Sequence, residues 1–138
     1  MTSDVLINKA ASIERCIKRV REEYTLAGNN FANDFTRQDA AILNVQRACE
    51  AALDMGQHTI RTQRLGVTQS ARDVFTLLAQ AKKIDPQLAD TMKHMIGFRN
   101  IAVHDYQALI LPIIESIIQK HLDDFTRYSQ QLLKSTQQ

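Results

Sequence analysis

The chain reads Arg99-Asn100-Ile101-Ala102-Val103-His104-Asp105-Tyr106 between two amphipathic segments, and this stretch decides how the fold is interpreted. The segment before it has apolar residues at helical spacing, and a second such segment begins near Pro112. The stretch itself places a guanidinium, an imidazole and a phenol close together in sequence. We therefore expect the rest of the chain to be a helical scaffold that presents these side chains.

The composition favours a few long helices. The chain has 138 residues, of which 44% are hydrophobic and 23% charged, with only four glycines and two prolines. So few turn-forming residues argue against a structure of many short strands. No repeat, low-complexity tract or linker divides the sequence. We predict an all-α fold, an antiparallel bundle of four main helices plus one short helix, as a single domain over residues 1–138.

The apolar stripes also predict where the first two helices begin. Asp4 is a plausible N-cap for the first helix, which Gly28 would end. Thr36 with Asp39 resembles a weakened capping box at the start of the second helix. Gly56 lies inside that second helix, where glycine costs about 1 kcal/mol relative to alanine. Such a glycine indicates close helix packing, with a subunit contact as one possibility.

The later helices carry clearer start signals. Ser70 with Asp73 predicts a capping box for the short helix. Asp85 followed by Pro86 combines an N-cap residue with proline at the first helical position. A last long helix should begin at Pro112, with its apolar stripe running to Leu132.

Composition and motifs exclude several classes of protein. A net charge of +2 is too small to indicate nucleic-acid binding by itself. The four histidines and two cysteines show no zinc-type spacing, so we expect no metal site and no cofactor. Cys16 and Cys49 are most simply buried apolar residues. The sequence contains neither a signal peptide nor a membrane-spanning run, which predicts a cytoplasmic protein.

Helix geometry constrains how the motif can be arranged. On one continuous helix, Arg99 and Tyr106 would lie about 20° apart and His104 about 140° from Arg99. We therefore expect the helix to end between Asn100 and Val103, with residues 104–106 extended. The two-residue period of an extended chain would then place His104 and Tyr106 on one side.

These residue types suit phosphoryl chemistry. Arginine binds phosphate oxygens in a bidentate manner, and histidine gives or takes a proton near neutral pH. On RNA, such a histidine can deprotonate the ribose 2′-hydroxyl that attacks the adjacent phosphorus, and this route needs no metal ion. A lone arginine at a helix end, or a lone histidine in a turn, is ordinary. From the residue counts of this chain, the full triple is rare by chance.

The spacing of Arg99, His104 and Tyr106 resembles the Arg-x4-His-x-Tyr motif of the HepT toxins, a branch of the HEPN (higher eukaryotes and prokaryotes nucleotide-binding) superfamily. Asn100 occupies the polar position that often follows the arginine in that family. Length, helical pattern and the place of the motif before the last long helix resemble the family over nearly the whole chain. The resemblance implies a HEPN-like helical bundle.

The resemblance also implies an activity. HepT toxins are metal-independent endoribonucleases that act on RNA (mRNA or tRNA) and work as homodimers, with the two motifs facing each other in a composite cleft. Carried over, Arg99 would position the scissile phosphate and His104 would act as general base or acid. Asn100 would orient the phosphate.

A partner is implied as well. The family is usually encoded beside a nucleotidyltransferase antitoxin, MntA, which transfers AMP from ATP to the motif tyrosine, here Tyr106. In the alternative interpretation, Tyr106 packs against the fold or contacts the substrate and is not the site of AMP transfer. For the whole chain the alternatives are a non-catalytic HEPN-type module that binds nucleotide or protein, in which His104 is dispensable, and a purely structural bundle.

Overall fold

The computed structural model describes residues 3–135, which contain six α-helices and no strand. The helices are α1 (Asp4–Ala27), α2 (Phe35–Gln63), α3 (Ala71–Gln80), α4 (Pro86–His104), α5 (Leu111–Lys120) and α6 (Leu122–Ser135). Two 3-10 turns, Gly28–Asn33 and Tyr106–Ala108, lie before α2 and α5. The predicted all-α class is confirmed.

The start signals of α3 and α4 are confirmed. Asp73 accepts a hydrogen bond from the backbone N–H of Ser70 at 3.3 Å, which is the return half of a capping box. The Asp85 carboxylate accepts one from the backbone N–H of Leu88 at 2.7 Å, with Pro86 at the first helical position. Both helices therefore begin where the sequence places them.

The predicted caps of α1 and α2 are wrong by one or two residues. Ser3 caps α1, and its hydroxyl accepts a hydrogen bond from a first-turn N–H at 3.1 Å, so Asp4 is the first helical residue. Asp34 caps α2 in place of Thr36, and its carboxylate accepts a first-turn N–H at 3.1 Å. Asp39 is consequently available to a partner elsewhere in the fold.

The long helix α2 lies at the centre of the bundle. It pairs with α1 in antiparallel fashion, as ion pairs at both ends indicate: Lys9–Asp54 at 3.0 Å and Arg37–Glu23 at 2.7 Å. Its buried residues include many small ones: Ala41, Ala48, Ala51, Ala52 and Gly56. Small side chains let neighbouring helix axes approach closely, and α3, α4 and α6 all pack against this helix.

Gly56 marks the tightest of these contacts. A Cβ atom placed there would collide with the Val74 side chain of α3 and would lie 2.8 Å from the Tyr128 hydroxyl of α6. The same hydroxyl donates a hydrogen bond to the Ala52 carbonyl at 2.7 Å in the buried core. Gly56 therefore serves close packing within the chain, as predicted, and is not an exposed subunit contact.

The last helix has a break that the sequence analysis did not predict. α5 ends at Lys120, and His121 (φ −124°, ψ −2°) leaves helical geometry before α6 begins. The imidazole Nδ1 of His121 lies 2.9 Å from the Asp124 carboxylate, so the side chain interacts with the first turn of α6. No helix among residues 3–135 is long and apolar enough to cross a membrane.

We expect Gly56→Ala to lower the free energy of unfolding. The added methyl group overpacks the junction of three helices, which typically costs about 1–3 kcal/mol and exceeds the gain of up to about 1 kcal/mol in helix propensity. Gly97→Ala in α4 is the matched control, because its Cβ would meet only the end of the flexible Arg72 side chain, at 3.1 Å. Denaturant titration measures both; a Gly56→Ala protein as stable as the control would contradict the packing argument.

Candidate functional site

The motif lies on the last turns of α4, and the helix ends later than the sequence analysis predicted. α4 continues through His104 and closes when the N–H of Asp105 bonds to the carbonyl of Ile101 at 2.8 Å. The predicted end between Asn100 and Val103 is wrong because nothing in that stretch breaks a helix. Ala102 is buried and fixes this last turn against the core.

Arg99 lies on the side of α4 that faces α2. Its guanidinium is close enough to the buried Cys49 thiol to oppose the effect of burial, which raises the pKa of Cys49 to about 12. The thiol itself approaches the carbonyl of Met95, one turn before Arg99, at 3.6 Å. The cation is therefore held in the seam between the two helices.

One nitrogen of Arg99 has no partner. Among the buried side-chain nitrogens and oxygens of residues 3–135, the Arg99 Nε is the one without a hydrogen-bond partner. A buried donor without an acceptor typically costs about 1–3 kcal/mol. Such a cost is expected where an external acceptor completes the site, and a phosphate oxygen is a suitable one.

His104 and Asn100 point away from this seam. Both side chains are exposed. Because the helix is continuous, Asn100 is turned about 100° and His104 about 140° from Arg99. The single chain therefore does not bring Arg99 and His104 together on one side. The predicted extended arrangement of His104 and Tyr106 is also wrong, since His104 is helical and Tyr106 opens a 3-10 turn.

Tyr106 is held against the start of α2. Its hydroxyl donates a hydrogen bond to the Asp39 carboxylate, and the ring remains 43% exposed. Partial burial, together with the hydrogen bond to Asp39 and its negative charge, raises the pKa of Tyr106 to about 12. The neutral phenol is therefore favoured, and the motif turn is tied to α2.

Asp39 is the residue of the site that sequence reasoning missed. The sequence analysis assigned it to a capping box with Thr36, although Asp34 fills that role. Its partner Tyr106 is 67 positions away, and no local pattern indicates a pairing at that distance. One feature could have indicated its role: Asp39 lies beyond the first turn of α2, where a carboxylate is not needed to cap the helix.

Apolar side chains surround the motif on the surface of the chain. Ile101 and Val103 are 41% and 45% exposed on the last turn of α4, and Ile110 and Ile113 are 56% and 50% exposed beside α5. A cavity of about 590 Å³ opens between α4 and α5 next to these residues. No group of three or more metal-ligating side chains occurs in the described range, 3–135. The charged and apolar groups of the motif therefore share one exposed end of α4.

Comparison with known proteins gives consistent matches. A family model described as "Ribonuclease HepT-like" matches residues 13–132. The chain is 52% identical over 126 residues to the mRNA nuclease HepT of Shewanella oneidensis, and the match covers 91% of this chain and 94% of that protein.

Solved structures agree with this. A toxin–antitoxin structure with AMP-PNP matches with a TM-score of 0.90 and 50% identity over 94% of this chain and 98% of that one. The tri-AMPylated HEPN toxin of Shewanella oneidensis, in complex with an MNT antitoxin, matches with a TM-score of 0.90 and 51% identity over 94% and 97%. The expected HEPN-like bundle is confirmed.

We expect Asp39→Asn to lower the pKa of Tyr106 from about 12 toward its ordinary value near 10. The substitution removes the negative charge that opposes the phenolate while partial burial remains, so the fall should be incomplete. Nuclear magnetic resonance of ring-labelled tyrosine measures the titration, with Tyr106→Phe identifying the signal. Asp105→Asn serves as the control, because it removes a carboxylate that is adjacent in sequence but does not bond to the Tyr106 hydroxyl. Equal pKa values of Tyr106 in the two variants would contradict the role of Asp39.

Proposed function

The chain belongs to the HepT-like ribonuclease family, and from this premise we propose that it is the toxin of a bacterial toxin–antitoxin pair. As such it is an endoribonuclease that cuts RNA (mRNA or tRNA) without a metal ion, in the cytoplasm, as a single domain over residues 1–138. The observation that carries the proposal is the buried Arg99 Nε, which has no acceptor within residues 3–135 and lies five residues before the motif histidine.

Arg99 supplies the charge that the reaction requires. Its guanidinium binds the scissile phosphate, and the Nε donor gains the acceptor that it lacks in the free chain. Because a guanidinium stays protonated at all working pH values, it stabilises the growing charge on the phosphoryl oxygens without a metal ion. Asn100, one residue later and exposed, orients the same phosphate from the rim.

His104 moves the proton. Its imidazole takes the proton of the ribose 2′-hydroxyl while the 2′-oxygen attacks the adjacent phosphorus. The bond from phosphorus to the 5′-oxygen breaks, and the same imidazole, now protonated, gives that proton to the leaving oxygen. The products are a 2′,3′-cyclic phosphate and a free 5′-hydroxyl.

The geometry of α4 favours a homodimer with shared sites. Since Arg99 and His104 diverge by about 140° on one helix, one copy cannot direct both at one phosphate. Two copies related by a two-fold axis can place Arg99 of one opposite His104 of the other. The exposed Ile101, Val103 and Ile113 beside the motif supply the apolar area for such an interface.

Tyr106 is the proposed point of control. A nucleotidyltransferase antitoxin of the MntA type binds the toxin and transfers AMP from ATP to the phenol oxygen. That oxygen attacks the α-phosphorus, pyrophosphate leaves, and the phenol proton passes to the Asp39 carboxylate, with which the hydroxyl is already hydrogen-bonded. The added phosphate makes the toxin a phosphoprotein, and its charge occupies the space that RNA phosphate would take.

We expect the purified protein to cleave RNA in the presence of EDTA, and Arg99→Ala and His104→Ala to reduce cleavage at least about 100-fold. His94→Ala is the matched control, because it removes another exposed histidine from α4, ten residues before His104. Circular dichroism verifies that each variant is folded. Unreduced cleavage by His104→Ala would contradict the role of the histidine. Absence of cleavage by the wild-type protein, with phosphate binding lost in Arg99→Ala and retained in His104→Ala, would favour the non-catalytic nucleotide- or protein-binding module.

The same two variants test whether the site is shared. Unfolded together and refolded as a mixture, about half of the dimers are mixed. Each mixed dimer then holds one intact pair of Arg99 and His104, so about a quarter of the wild-type activity should return. If no activity returns although mixed dimers form, the arrangement across two chains is wrong.

We expect the toxin co-expressed with its antitoxin to gain the mass of one or more AMP groups. Intact-mass spectrometry detects the addition, and Tyr106→Phe should abolish it because the acceptor oxygen is absent. Tyr24→Phe is the control, since Tyr24 bonds to Gln119 at 2.6 Å far from the motif in sequence. Unmodified wild-type protein, or AMP on Tyr106→Phe, would contradict the role of Tyr106.

A further inference from the structure

A second concentration of positive charge lies outside the motif, in a groove between α1 and α2. The groove has a volume of about 450 Å³, and Arg15 and Arg19 of α1 and Arg47 of α2 are among its lining residues. We refer to these three arginines and the space between them as the arginine groove. None of them belongs to the Arg-x4-His-x-Tyr motif.

All three arginines act electrostatically on one residue, Cys16. Cys16 lies 8% exposed between them, and burial raises the pKa of its thiol while the charges of Arg15, Arg47 and Arg19 all oppose that rise. The lining of the groove holds Lys9 and the three arginines on the positive side and Glu50 and Asp54 on the negative side, so positive charge is in excess.

The two carboxylates that line the groove, Asp54 and Glu50, do not form ion pairs with these arginines. Within residues 3–135, no carboxylate oxygen lies within 4 Å of a nitrogen of the three arginines, whereas Arg21, Arg37 and Arg127 all form ion pairs. At one end of the groove, Asp54 is paired with Lys9 at 3.0 Å. Glu50 also lines the groove, but its carboxylate accepts a hydrogen bond from Gln46 at 3.2 Å.

Three guanidinium groups close together repel one another, and the walls of a groove strengthen that repulsion by excluding water. An anion between them turns this repulsion into attraction. Guanidinium groups bind phosphate oxygens as a fork, with more than one hydrogen bond each. Nucleic-acid interfaces are much more positively charged than protein–protein interfaces. The groove therefore fits a nucleic-acid backbone better than a protein surface.

The position of the groove relative to Arg99 determines the length of the ligand. Arg99 acts on Cys49 at the seam of α2 and α4. Arg47, two residues before Cys49, is turned about 160° away around the axis of α2. One helix width, about 10–12 Å with side chains, therefore separates the two phosphate-binding regions. A single nucleotide is too short to reach both, whereas a strand of several nucleotides can cross α2.

We propose that the arginine groove binds the backbone phosphates of the RNA substrate, several nucleotides from the bond that is cut at Arg99. The proposal rests on the proposed ribonuclease function and extends it, because it assigns to α1 and α2 a role in holding substrate. It makes the toxin prefer long single strands to short ones. It also makes binding independent of base sequence at those positions, since phosphates carry no sequence information.

The binding test uses the full chain with His104→Ala, so that RNA stays intact. In that background Arg15, Arg19 and Arg47 are changed to Gln, and affinity for a single-stranded oligonucleotide is measured over a series of salt concentrations. Each lost phosphate contact should reduce the slope of log affinity against log salt by about 0.7. The matched control changes Lys18, Arg21 and Arg127 to Gln, which removes the same charge from residues that do not line the groove.

The kinetic test uses protein that retains His104 and can therefore cleave RNA. It compares a dinucleotide with a long RNA as substrate. The groove variant should raise KM for the long RNA at least about tenfold relative to the control, as expected for loss of two or three charge-assisted contacts. Its kcat/KM for the dinucleotide should remain unchanged, because that substrate does not reach the groove. An equal loss on both substrates would overturn the proposal, as would a salt slope equal to that of the control.

Two further outcomes distinguish a failure of the groove proposal from a failure of the proposed ribonuclease function. If the wild-type protein cuts no RNA, the ribonuclease assignment fails, while the salt series still decides whether the groove binds a strand. If the groove variant binds and cuts RNA normally but no longer binds the antitoxin, the groove serves an acidic protein surface. That result would overturn the RNA assignment.

Discussion

The structure depends on how closely other helices can approach α2. Three contacts tie core and motif groups to this helix: Tyr128 of α6 bonds to its backbone at Ala52, the Cys49 thiol approaches α4, and Tyr106 bonds to Asp39 near its start. Such contacts need a helix whose inner faces carry small side chains, and a run of alanines ending at Gly56 provides them. Close packing of this kind fixes axis positions to within a methyl group.

The course of α4 has a direct consequence for the proposed active site. The helix stays continuous through His104, and its geometry separates Arg99 from His104 by about 140°. The arginine faces the interior and the histidine faces solvent. Neither side chain can turn to meet the other without unwinding the last turn, which the burial of Ala102 opposes. A second copy of the chain is the simplest source of the missing half.

Much of this arrangement follows from the sequence alone. The apolar stripes predicted the helix class, and Asp85 and the Ser70–Asp73 box predicted two helix starts. Local patterns did not reveal the end of α4, because helix ends there depend on which residues the tertiary contacts bury. They did not reveal the break at His121 either, where neither Gly nor Pro is present.

Asp39 illustrates the harder limit. In sequence it resembles a first-turn capping residue, and only the folded chain brings it to Tyr106. That contact bears on how the proposed modification would work. The unmodified phenol is a donor and satisfies the carboxylate, whereas an AMP group has no proton to donate and brings a negative phosphate to the same place. Repulsion from Asp39 would then displace the modified side chain from α2 and toward the positive charge of Arg99. A carboxylate that holds the tyrosine before modification would thus help to direct the AMP group into the phosphate site afterwards.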